Sequence, residues 1–194
     1  MSACHRRWIG FVFGALMLAA PLSVGASLIV KMTLEEMAVA SDIVVVGTVR
    51  SATGFWNAAR THILTRVVVD VEEAAKGSAP PVIEVVELGG TLDGITVWIP
   101  GTPQFQPGEQ AVLFLNRDPG DGEWKVSGFA QGKFRIFQDQ VTGQRLVRHA
   151  EPLRQVYDSR LGKAVRADPM APVLLAEFLE HVRRLAEGGR GNAR

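Results

Sequence analysis

Alternation of apolar and polar residues over residues 61–73 is the clearest structural pattern in this chain. Isoleucine, threonine and valine occupy every second position from Ile63 to Val71, and charged side chains such as Arg66 and Asp70 lie between them. A period of two residues places successive side chains on opposite faces of a strand. The segment is therefore predicted to form a strand with one buried face.

Shorter strand patterns occur along most of the remaining chain. Residues 43–49 carry four consecutive β-branched residues followed by Gly47, which predicts a strand buried on both faces with a bend at the glycine. Turn residues separate the other segments. Seven or so short strands at this spacing predict a barrel or a sandwich. The further strands are expected at residues 82–88, 95–99, 110–115, 124–128, 132–137 and 145–148.

Two helices are predicted at the ends of this β-rich region. Thr33 followed by Glu36 has the spacing of a capping box, which predicts a short helix ending near Ala40. After Pro172, apolar residues recur at helical spacing, which predicts an amphipathic C-terminal helix packed on the barrel. Gly188 and Gly189 are expected to end it and to leave 188–194 as a flexible tail.

The first 26 residues have the pattern of a secretory signal peptide. A basic start precedes an apolar run over residues 8–20, Pro21 follows, and small residues before and at Ala26 predict cleavage there. An uncleaved membrane anchor is the alternative, but the run is about 13 residues long and a spanning helix needs about 20. We therefore expect an exported protein, periplasmic or extracellular, that is not an integral membrane protein after cleavage. Residues 27–187 are expected to form a single domain.

Composition narrows the possible partners and chemistry. The 194 residues include 21 basic and 20 acidic side chains, a formal net charge of +1. Proteins that bind nucleic acid concentrate basic residues, so no nucleic-acid partner is expected. Cys4, the single cysteine, lies within the predicted signal peptide. The domain after residue 26 therefore has no thiol chemistry, and burial rather than disulfides must stabilise it.

No local pattern predicts catalysis or metal binding. The chain after residue 26 has neither a Gly-x-Ser-x-Gly nor a Ser-x-x-Lys sequence, and His62, His149 and His181 lie far apart. We therefore expect no catalytic residues, no metal ligands and no cofactor. A hydrolase assembled from dispersed residues remains an alternative, in which His62 or His149 would lie beside carboxylates.

Aromatic residues expected in loops are the candidate binding residues. Phe55 and Trp56 fall in the predicted loop between the first two strands with Arg60 close by, Trp98 lies at a strand end, and Phe105 lies in a loop rich in proline. Large aromatic side chains on loops either pack or bind something. They are predicted to cap the end of the barrel or to form a contact surface for a protein or a glycan.

The order of several segments resembles a known family. Residues 41–49 precede the long strand that ends in Lys76 and Gly77, and residues 105–109 precede an apolar strand at 112–115. This order is similar to the oligonucleotide/oligosaccharide-binding (OB) type barrel of the tissue inhibitors of metalloproteinases and of netrin-like modules. It also resembles uncharacterised exported bacterial proteins, which share a segment like residues 126–134. The resemblance implies a small Greek-key barrel with an extracytoplasmic binding role.

One feature of that family has no counterpart here. The metalloproteinase inhibitors bind the enzyme's zinc through an N-terminal cysteine and hold the barrel with disulfides, whereas this chain has no cysteine after Cys4. No inhibitory residue can therefore be transferred. We expect a mainly β protein, with five to seven strands in the barrel, that acts as a non-enzymatic binding module of the bacterial cell envelope. A protease inhibitor that works without zinc chelation and the dispersed hydrolase are the alternatives.

Overall fold

The computed structural model describes residues 29–150, 156–166 and 170–191, and the predicted signal peptide lies outside them. Helix α1 spans Leu34–Ala40 and helix α2 spans Leu175–Gly191. A 3₁₀ turn spans Phe129–Gly132. The strands are β1 (Ile43–Trp56), β2 (Ile63–Lys76), β3 (Val82–Leu88), β4 (Gly90–Leu92), β5 (Ile95–Val97), β6 (Gln110–Arg117), β7 (Trp124–Val126), β8 (Lys133–Gln138), β9 (Arg145–His149), β10 (Val156–Asp158), β11 (Lys163–Val165) and β12 (Val173–Leu174).

Five strands close into a barrel, as predicted. The order is β1, β2, β3, β7 and β6, and β6 pairs back with β1. One edge of β6 pairs with β1, while the other edge pairs first with β8 and then with β7. The only parallel neighbours in this ring are β3 and β7, which meet at Val85 and Trp124. The described chain is thus mainly β, with a short helix before the barrel and a longer one after it.

Residues 43–49 of β1 are buried on both faces, as expected, and so is most of β6. Val45 and Leu113 point into the barrel, where they join an interior cluster of valine, leucine and isoleucine side chains. Val44 and Phe114 point outward and are covered by the two helices. The rings of Phe114 and Phe178 lie 6.5 Å apart in a T-shaped arrangement, which fixes α2 on the outside of the barrel.

The predicted capping box begins α1. Thr33 Oγ1 accepts a hydrogen bond from the Glu36 N–H, and the Glu36 carboxylate accepts one from the Thr33 N–H. At the other end of α1, the Lys76 ammonium donates to the carbonyls of Ala38 and Val39. These contacts satisfy backbone groups that have no partner within a helix.

The expectation that Gly188 and Gly189 end the last helix is wrong. Helix α2 continues to Gly191, so residues 188–191 are helical rather than a flexible tail. A Cβ on Gly189 would lie 2.4 Å from a methyl carbon of Val39 in α1. Glycine here permits close helix packing, which offsets its low helix propensity. Residues 192–194 lie outside the described residues.

Strand β1 is longer than expected and includes residues assigned to a loop. It pairs with β2 from Val44 to Trp56, with three shifts of register along the way. Each shift changes which residues face inward, so residues 50–56 lack a regular pattern from which the strand could be predicted beyond Val49. The short strands β4, β10, β11 and β12 also escaped prediction, because two or three residues are too few to show a period.

Candidate functional site

A small hairpin stands at one end of the barrel. Strands β4 and β5 pair with each other, and within the described residues neither joins the main sheet. Asp93 and Gly94 form the turn with positive φ angles of 50° and 77°. An Asp-Gly pair suits the two-residue turn that such a hairpin needs. That pair is the sequence signal that could have revealed the hairpin, although its strands are short.

The hairpin is held against the barrel at two glycines. A Cβ on Gly54 of β1 would lie 2.2 Å from the Thr91 carbonyl oxygen, and one on Gly90 would lie 2.1 Å from Thr65 Oγ1. Thr65 Oγ1 in turn donates to the Gly89 carbonyl at 2.7 Å. The hairpin therefore lies directly on the barrel wall, with backbone against backbone at Gly54 and with the Thr65 side chain between the two elements at Gly90.

Replacing Gly54 by alanine should displace the hairpin. The new methyl group would overlap the Thr91 carbonyl, which is backbone and cannot rotate away. We expect a loss of about 1–3 kcal/mol in the free energy of unfolding, measured by urea denaturation, with faster amide exchange confined to residues 89–98. Gly120→Ala is the control, because its Cβ would meet only a side-chain oxygen at 3.2 Å. Equal effects of the two substitutions would contradict this packing.

The hairpin and its flanks carry exposed apolar side chains. We use the name hairpin surface for Leu88, Ile95, Val97 and Trp98, and Trp98 is 67% exposed. All three residues of β5 are exposed. The outer edge of β5 has no paired strand among the described residues. An apolar edge strand of this kind is a template for pairing with another chain.

The five predicted binding residues belong to different elements of the fold. Phe55 and Trp56 lie at the end of β1 rather than in a loop, and both are half-buried. The Arg66 guanidinium lies 4.8 Å from the centre of the Phe55 ring. Arg60 is exposed in the turn between β1 and β2, with a φ of 54°. Trp98 follows β5 directly, as expected for a residue at a strand end.

Phe105 lies in the proline-rich loop between β5 and β6, as expected, and is half-buried against the barrel interior. The Lys133 ammonium lies 4.5 Å from the centre of its ring. Lys133 is 2% exposed, pairs with Glu109 at 2.9 Å and also donates to the Gln104 carbonyl. A buried lysine bound to three parts of one loop fixes that loop on β8, and Phe105 with it.

Beside Phe105 lies a cavity of about 200 Å³, which we name the barrel-end cavity. Its lining comes from the inner ends of the strands, the start of the hairpin and the proline-rich loop: Ala52, Gly54, Thr65, Glu87, Leu88, Gly89, Gly90, Thr91, Pro103, Gln104 and Phe105. Of the predicted binding residues, Phe105 alone is among these lining residues.

Glu87 is the carboxyl group of this cavity, and the sequence analysis missed it. It follows Ile83 and Val85 at alternate positions of β3, which face the barrel interior, and it is 8% exposed. Its Oε1 accepts a hydrogen bond from the Val126 N–H at 2.8 Å. Burial raises the pKa of Glu87 to about 7, against smaller opposing effects of this hydrogen bond and of the Lys125 charge.

The two histidines of the hydrolase alternative lie elsewhere. His62 is exposed, and its Nδ1 shares a hydrogen bond with Thr61 Oγ1. His149 stacks on Phe134 with ring centres 4.3 Å apart, and burial lowers the pKa of His149. Neither lines the barrel-end cavity. Within the described residues, no three His, Cys, Asp or Glu side chains gather closely enough to hold a metal ion.

Neither helix of the described chain combines the length and the apolar character that crossing a bilayer requires. No protein-family model matches the chain, and no curated protein matches it either.

Proposed function

We propose that this chain is an exported, non-enzymatic binding module of the bacterial cell envelope that contacts a protein partner through the hairpin surface. The observation that carries the proposal is the exposure of Ile95, Val97 and Trp98 on and beside an edge strand. Apolar groups in water are costly unless a partner covers them. The signal-peptide pattern of residues 1–26 supports export.

A protein partner fits this surface better than a glycan does. Sugar recognition needs polar groups that hydrogen-bond to hydroxyls, placed beside an aromatic ring. On the hairpin surface, Trp98 is instead accompanied by the aliphatic side chains of Leu88, Ile95 and Val97. An extended segment of a partner can pair with the β5 backbone while these side chains cover its apolar residues.

Site-specific crosslinking tests this proposal. A benzophenone amino acid placed at position 98 should give a discrete crosslinked protein in the native envelope. The same group at Val141 should not, although Val141 is 94% exposed in the turn between β8 and β9. Ile95→Lys should reduce the product at position 98 at least about tenfold, because a charge on an edge strand opposes pairing.

Three results would each argue against this assignment. Equal labelling at positions 98 and 141 would indicate ordinary surface exposure. Retention of the protein on cell-wall glycan, reduced by Trp98→Ala, would assign a glycan partner instead. A product containing two copies of this chain would make the hairpin surface a self-association site.

A further inference from the structure

A carboxyl group lies at the end of the aliphatic cluster that fills the barrel interior. The inward-facing cluster consists of aliphatic side chains, and Glu87 lies at its end among the lining residues of the barrel-end cavity. Burying a carboxyl group is costly unless hydrogen bonds or an opposite charge compensate it. The Val126 N–H compensates Oε1, and within the described residues no donor pairs with Oε2. One oxygen is therefore available to a ligand.

Thr65 lies opposite Glu87 in the pairing of β2 with β3, and its hydroxyl group also offers an acceptor. Thr65 Oγ1 uses its proton to donate to the Gly89 carbonyl, so its lone pairs remain for another donor. Apolar contact surface comes from Ala52, Leu88 and Phe105. The cavity thus offers acceptors for a donor head, and these three side chains offer a smaller apolar surface for a short alkyl chain.

The charges around the cavity favour a monovalent organic cation. The charge of Lys133, which lies over Phe105, is offset by Glu109 at 2.9 Å. Lys125 of β7, whose positive charge lowers the pKa of Glu87, pairs with Asp118 and Asp121. A calcium or magnesium ion would need six or more oxygen ligands. Glu87 alone cannot supply them, and an anion would be repelled by its carboxylate.

We propose that the barrel-end cavity binds a primary alkylammonium group, with the Glu87 carboxylate as its ion partner and Thr65 Oγ1 as a second acceptor. The volume of about 200 Å³ is several times the roughly 30 Å³ that one water occupies in the liquid, so a chain of a few carbons can enter. The group belongs either to a free amine or to a lysine side chain of a bound peptide. This proposal does not rest on the partner of the hairpin surface, which shares only Leu88 with the lining of the cavity.

Titration with n-butylammonium chloride, followed by NMR of the backbone amides, tests the proposal. At about pH 8 we expect saturable shifts at Thr65, Gly89 and Phe105. A proton competes with the ammonium for Glu87, whose pKa lies at about 7, so the affinity should fall about 90-fold from about pH 8 to about pH 5. Glu87→Gln should bind at least about tenfold more weakly and lose this pH dependence, because a charge-assisted contact is lost.

Matched probes and variants make the result decisive. Glu84→Gln, on the exposed side of β3, should bind n-butylammonium as the unmodified protein does. n-Butanol has the same length without charge, and binding equal to that of n-butylammonium would overturn the proposal. So would an absence of shifts at about pH 8, or unchanged affinity in Glu87→Gln. A blocked tripeptide with a central lysine identifies the source: tighter binding than n-butylammonium indicates a peptide side chain, and weaker binding indicates a free amine.

Discussion

Glu87→Gln should abolish a pH dependence of folding that amounts to about 3 kcal/mol. The pKa of Glu87 is raised by burial from 4.5 to about 7 in the folded protein. Below about pH 4.5 the Glu87 carboxyl is protonated in both the folded and the unfolded protein, and its full contribution to the free energy of unfolding is present. As the pH rises to about 7, unfolding releases a proton, so the free energy of unfolding falls. Above about pH 7 the carboxyl is ionised in both the folded and the unfolded protein, and its contribution to the free energy of unfolding is lost.

The measurement is urea denaturation of both proteins from about pH 4 to about pH 8. The amide oxygen of glutamine can still accept the Val126 N–H, so the variant should fold. The difference in the free energy of unfolding between the two proteins cancels the contributions of other groups. One of these is His149, whose lowered pKa makes stability rise with pH and so opposes the effect of Glu87. Relative to the unmodified protein, the variant should gain stability as the pH rises. A difference that stays constant with pH would show that Glu87 does not ionise in a buried site.

Lys133→Met should cost about 3–5 kcal/mol of stability, because it leaves the Glu109 carboxylate buried without its cation. The Glu109 side chain is 9% exposed and that of Lys133 is 2% exposed, so water cannot replace the lost partner. The Gln104 carbonyl and the Phe105 ring also lose their contact with the ammonium. We expect faster amide exchange across the loop between β5 and β6, together with the lower denaturation midpoint.

A second substitution distinguishes the unpaired charge from general damage. The double variant Lys133→Met, Glu109→Leu should recover a large part of the loss, because apolar pairs often replace buried ion pairs without cost. Lys125→Met is the exposed control, since the Lys125 side chain is 38% exposed and its pairs with Asp118 and Asp121 are open to water. It should cost less than about 1 kcal/mol. A loss in Lys133→Met no larger than in this control would contradict the proposed role of the buried pair.

Local patterns predicted the strands of the barrel because alternation and burial act on adjacent residues. Val82–Leu88 forms β3 at the predicted positions, and Thr33 begins α1 with the predicted capping box. Residues 43–49 were expected to be buried on both faces, and they are, with the barrel interior on one side and the helices on the other. Each of these features depends on side chains within a few positions of one another.

The candidate site could not be predicted in the same way. Glu84 and Glu87 lie three residues apart in one strand, and by sequence both are charged groups among valines. The register of β3 in the closed ring puts Glu84 outside and Glu87 inside. Lys133 and Arg135 lie two positions apart in β8 and therefore on the same face of that strand, yet Lys133 is buried and Arg135 is exposed. The elements that pack against each strand in the folded protein decide which of its charged side chains are buried.

The sequence by itself determined the positions of the two helices and of the central parts of the longer strands. It also determined that no disulfide holds the domain after residue 26, and that the domain is mainly β. Only the tertiary structure decided that β6 returns to β1, that Phe55 and Trp56 continue β1, and that Glu87 lies beside a cavity. The physical reason is the range of the interactions. Backbone preferences and alternation operate between near neighbours, whereas closure, burial of a charge and formation of a cavity require segments distant in the chain to meet.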